Sequence, residues 1–169
     1  MFNYKLPSLL AITFSSIILL SNLPSLAQTA SVPKPSDAPL NLELLNNPKD
    51  GVITANTIKL TGLTTPSLWL AKEISENKLL DNWIAYPATQ AEFSRVDLIV
   101  NQQIWSLLDY LERYEFVNRL GSTARKDNYN MRVFNYQGDL LATYTCNFQS
   151  SLPACNIQMN IQYKLGSTR

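Results

Sequence analysis

Residues 131–146, MRVFNYQGDLLATYTC, decide the fold. Two runs with strand character, Met131 to Asn135 and Leu140 to Cys146, flank Tyr136-Gln137-Gly138-Asp139, and a glycine-containing connection between such runs predicts a β-hairpin. Downstream, Asn156 to Tyr163 sets Ile157, Met159, Ile161 and Tyr163 on one side and polar residues on the other, which predicts a further antiparallel strand. Cys146 and Cys155, with eight residues between them, predict a structural disulfide closing the turn into that strand. Thiol redox chemistry prefers a Cys-x-x-Cys spacing, in which the two sulfurs tune each other's pKa.

Upstream of the hairpin, Arg95 to Val100 (RVDLIV) reads as a buried strand. Leu79 to Tyr86 (LLDNWIAY) stops at Pro87 and either pairs with that strand as a hairpin or forms a further helical turn. Asn101 to Leu120 is the strongest helical pattern, with Ile104, Leu107, Leu108, Leu111 and Tyr114 spaced by three and four residues. Asn101 is placed to cap its start and Gly121 to end it. Trp105 and Phe116 lie toward a second side, so a wide core face or a partner groove is expected. Earlier, Thr64-Thr65-Pro66-Ser67 opens a helix to about Asn77, with Leu70, Ala71 and Ile74 on its buried side. Val52 to Leu60 suggests a short edge strand. The order β-α-β-β-α-β-β-β gives an α+β domain over residues 52–164, with an antiparallel or mixed sheet and about two helices packed on one face. Residues 165–169 form a C-terminal tail.

Residues 1–27 have the pattern of a secretory signal peptide. Lys5 supplies the positive start, Leu9 to Leu20 the apolar run, and Ser25-Leu26-Ala27 the small residues before cleavage at Gln28. The apolar run is shorter than the ~20 residues that cross a bilayer, so no membrane span is expected after cleavage. Removing the leader leaves roughly 140 residues, a usual size for one domain. Residues 28–51 carry Pro33, Pro35, Pro39 and Pro48 and read as a tail or linker, either disordered or a docking arm anchored by Leu40, Leu42, Leu44 and Leu45.

The whole chain has 14 basic and 13 acidic residues, and this balance gives no electrostatic reason to bind nucleic acid. The chain contains no histidine, which removes the commonest general base and transition-metal ligand. Two cysteines without histidine do not complete a Cys/His zinc site, and no metal or cofactor is expected. Its five glycines form no phosphate-cradling loop. Asp97, Asp109 and Glu112 are the carboxylates that an acid/base or metal site would have to bring together. A solvated helix face is the competing reading of Asp109 and Glu112, and the chain is read as a non-enzyme. The aromatic residues Trp69, Trp83, Tyr86, Trp105, Tyr110 and Tyr114 are the candidate binding residues, set against ordinary core packing.

Four runs carry a resemblance: Thr64-Thr65-Pro66-Ser67-Leu68-Trp69, Asp81 to Pro87, Val96 to Asn101, and Leu107 to Tyr114. They resemble exported cyanobacterial proteins of no assigned activity, and the similarity extends to Arg132-Val133-Phe134-Asn135 and Thr145-Cys146. The resemblance implies the periplasm or thylakoid lumen, and a setting beside photosynthetic membrane complexes. It implies no catalytic residue. The expectation is a non-catalytic exported accessory protein that binds another protein, with assembly or maintenance of a membrane complex as its role. The alternative is a small-ligand-binding domain with a Trp/Tyr-lined cleft.

Overall fold

The computed structural model describes residues 31–49, 51–57, 79–149 and 153–160. The signal peptide expected over 1–27, the helix expected over 65–77 with Trp69, and the C-terminal tail expected over 165–169 lie outside the described residues. Within them the chain forms a six-stranded mixed sheet and two α-helices, an α+β fold. The strands are β1 (Ile53–Thr54), β2 (Leu80–Tyr86), β3 (Arg95–Val100), β4 (Asn130–Phe134), β5 (Leu140–Asn147) and β6 (Ala154–Met159). They lie side by side in chain order, antiparallel except for the parallel pair β3 and β4. That pair is joined by a crossover through α1 (Gln102–Leu107) and α2 (Tyr110–Arg125), as a parallel connection requires.

The segment LLDNWIAY is a strand, paired with β3 as a hairpin. Its alternation is obscured by a bulge at Asp81: Leu80 faces Val100 and Asn82 faces Ile99. The extra residue lets Leu80 and Trp83, three apart, enter the same core. A second bulge, at Leu141, does the same for Leu141 and Ala142 in β5.

Asn101 caps α1, its side chain accepting from the Gln103 and Ile104 amides. The single helix expected over Asn101–Leu120 is instead two. Leu108 is extended and Asp109 starts α2 with a capping box: its carboxylate accepts from the Glu112 amide while the Glu112 carboxylate accepts from the Asp109 amide, both at 2.8 Å. Arg113 secures the break, donating from Nε to Trp105 O and from Nη2 to Ser106 O. Gly121 does not end the helix; it lies inside α2, where the Tyr144 ring packs against its Cα. The helix stops at Arg125, and Asn128, in the left-handed region at φ 61°, turns the chain toward β4.

The helices cover one face of the sheet. Val96, Leu98, Val100, Met131, Val133 and Tyr144 meet Trp105, Phe116, Val117, Leu120 and Ala124 there. Residues 31–49 pack on the other face, so over this stretch the proline-rich segment is part of the folded domain rather than a free linker. Leu45, in a 3-10 helix (Leu42–Leu45), joins Ile84 and Ile99 in a second small core, with Leu40, Leu42 and Leu44 against it. Cys146 and Cys155 stand opposite each other on β5 and β6 and form the disulfide.

Candidate functional site

The break between α1 and α2 decides which apolar residues reach the surface. An unbroken helix would bury Ile104, Leu107, Leu108, Leu111 and Tyr114 as one stripe. Restarting at Asp109 turns Phe116, Val117, Leu120 and Ala124 inward instead. Leu107 is left 84% exposed and Leu111 67% exposed, with Tyr110 and Tyr114 exposed beside them. The two tyrosine rings stack at 6.4 Å between centroids. Beside this patch an open groove is lined by Leu79, Leu108 and Phe116 and edged by Glu112, Glu115 and Arg119. An apolar and aromatic surface with a charged rim is the composition of a protein-binding face.

The five candidate aromatic residues that are described do not form one cleft. Trp83 is fully buried on the helix side, and Trp105 is buried edge-on to Phe116. Tyr86 lies on the opposite face, in the small core with Ile84 and Ile99. Only Tyr110 and Tyr114, of those described, are brought together at the surface. Leu107 and Leu111 complete that patch and were missed as site residues because their spacing assigned them to the core.

Of the three candidate carboxylates, Asp97 is separated from the other two. Asp109 and Glu112 are committed to the capping box. Asp97 is on the other side of the sheet, buried against Arg132: Nε donates to Oδ1 at 2.8 Å and Nη2 to Oδ2 at 2.7 Å. Burial pushes the Asp97 carboxyl up from its ordinary value, and the Arg132 guanidinium opposes that push. Arg95 Nε stands 3.9 Å from Asp97 Oδ1; the same guanidinium pairs with Glu92 and lies 4.0 Å over the Tyr86 ring. Two guanidiniums around one fully buried carboxylate make a buried ion cluster.

Arg132 has one nitrogen left over. Its Nη1 donates to the carbonyls of Ser36 at 2.9 Å and Ala38 at 2.6 Å, tying the N-terminal arm to the sheet. The burial of Arg132 is set by Asp97, its register partner on β3. No helix among the described residues is long and apolar enough to cross a membrane. No family model, curated protein or solved structure significantly matches the chain.

Proposed function

We propose that this is an exported, non-catalytic accessory protein that binds another protein through the face formed by Leu107, Tyr110, Leu111 and Tyr114. The observation that carries the reading is the exposure of two leucines and a stacked tyrosine pair on adjoining helices, where the other large apolar side chains among the described residues are mostly buried. Tyrosine supplies large contact area at low entropic cost, and leucines beside it supply apolar area that water leaves on docking. The leader-like residues 1–27 and the Cys146–Cys155 disulfide both fit an oxidising exported compartment. In that reading the periplasm or thylakoid lumen is the site of action, and a membrane complex is the partner. The small-ligand alternative loses support because Trp83 and Trp105 are consumed by the core.

The test is a photocrosslinking residue at position 111 of the chain expressed in its native exported compartment, with one at exposed Gln137 as control. One dominant crosslinked protein at 111, absent at 137 and lost in a Leu107→Glu variant, is expected. Equal labelling at both positions would reject this face as the docking surface. N-terminal sequencing of the recovered protein tests the leader, with Gln28 as the expected first residue.

A further inference from the structure

The geometry points to the sheet face beneath the N-terminal arm as a binding site for proline-containing polypeptide segments, which the chain's own residues 31–38 occupy in cis. The site is separate from the helix face, and the argument starts from how the arm is held. Residues 31–41 have no helix and no ladder pairing with any strand. Arg132 Nη1 holds the Ser36 and Ala38 carbonyls, Asn147 Nδ2 donates to the Ser31 carbonyl at 3.0 Å, and the Ser36 hydroxyl donates to Glu92 at 3.1 Å. Three of these four groups are main-chain carbonyls. No arm N–H donates to the sheet among the described residues; that of Ala38 turns back to Ser36 Oγ.

A site that reads carbonyls and ignores N–H groups accepts proline without loss, since proline lacks only the donor. Pro33, Pro35 and Pro39 fit that rule in the present occupant. The reader is also preorganised: Asp97 fixes Nε and Nη2 of Arg132, so Nη1 is aimed at the arm without further ordering. Little in this recognition depends on arm side chains, which makes it transferable to another segment of the same kind.

The arm also leaves the face incompletely filled. A cleft of about 280 Å³ lies on one side of Pro33–Ser36, toward Phe93 and Arg95. Another of about 430 Å³ lies on the other side, toward Thr143, Asn156 and Gln158. Thr143 is 2% exposed, and its hydroxyl has no hydrogen-bond partner. A segment with a larger or more polar side chain at the position of half-buried Ser36 has room and a buried hydroxyl to meet. Tethering gives the arm the advantage of high local concentration, so an incoming segment must bind more tightly or arrive when the arm is released.

The experiment uses the mature chain with a protease recognition sequence inserted between Asn46 and Asn47, both exposed. After cutting, the arm becomes a dissociable ligand. Two fluorescent probes are compared by anisotropy: the peptide of residues 31–45, and one with the same prolines and leucines but other residues elsewhere. Exchange of the arm for both probes, with affinities within about tenfold of each other, is expected. An arm that leaves only on global unfolding, or a site that takes only its own sequence, overturns the proposal. If the cut chain does not stay folded, the second peptide is titrated into the uncut chain at millimolar concentration. Shifts of the Arg132 Nε–H and Thr143 amide resonances then report entry, and unchanged resonances overturn the proposal.

Discussion

Asp97 and Arg132 are register partners on the two parallel strands at the centre of the sheet, and their side chains meet in a two-point ion pair beneath the N-terminal arm. Neither side chain is appreciably exposed. Removing one partner leaves the other charge buried, at a cost of about 3–5 kcal/mol. Arg132→Met is therefore expected to destabilise strongly in urea denaturation, while the double variant Asp97→Leu/Arg132→Met recovers most of the loss. The double variant should still lose the hold on Ser36 and Ala38, seen as faster proteolysis within residues 31–40. Equal destabilisation by the single and double variants would show that the pair is not the reason.

Gly121 and Tyr144 provide a second test. Alanine in a helix is ordinarily better than glycine by about 1 kcal/mol. Here its Cβ would lie 2.3 Å from two ring carbons of Tyr144. Overpacking of this kind costs about 1–3 kcal/mol, so Gly121→Ala is expected to lower the urea midpoint. In a Tyr144→Ala background the same change should be neutral or stabilising. Additive effects in that double-mutant cycle would contradict the contact.

The disulfide closes a short loop onto the edge strand β6. Replacing both cysteines by alanine is expected to cost about 2.5 kcal/mol, and alanine suits Cys146 because that position is fully buried. Hydrogen exchange should accelerate first along Ala154–Met159, the strand that loses its covalent tie. Uniform acceleration across all strands would assign the bond a global role instead.

Tyr86 makes stability fall at alkaline pH. Burial, reinforced by the Asp97 charge, lifts its phenol above the ordinary 10.0, against the pull of Arg95 and Arg132. Above that ordinary value the unfolded chain releases this proton while the folded chain still holds it. The contribution is fully present below pH 10.0 and is lost as pH rises through the folded value. Urea midpoints of the protein and of Tyr86→Phe, followed upward from about pH 9, should diverge in slope, with the unmodified protein falling faster. Parallel curves would place Tyr86 in an environment like that of the unfolded chain.

The helix break shows how a local signal and a longer pattern compete. Asp109-x-x-Glu112 is a capping box in plain view, yet the three-and-four spacing from Ile104 to Tyr114 runs straight across it and invites one continuous helix. The cap prevails because it satisfies free amides at the new helix start and because Phe116, Val117, Leu120 and Ala124 offer a better apolar face. The binding patch follows from that choice, so Leu107 and Leu111 read as core residues until the break is seen. LLDNWIAY was ambiguous for a different reason: a bulge inserts a residue at Asp81 and breaks the period of two on which a strand is recognised.

The sequence by itself determined the α+β class, the hairpin around Tyr136–Asp139, the strand character of Arg95–Val100 and the pairing of its two cysteines, because each rests on near-neighbour periodicity or on a choice with one solution. Tertiary structure decided what those elements face. Asp97 met Arg132 because β3 and β4 lie parallel across a crossover of 29 residues between Val100 and Asn130, and no spacing within the chain encodes that register. The arm's place on the sheet likewise depends on where Arg132 Nη1 is left pointing once Asp97 has taken the rest of the guanidinium.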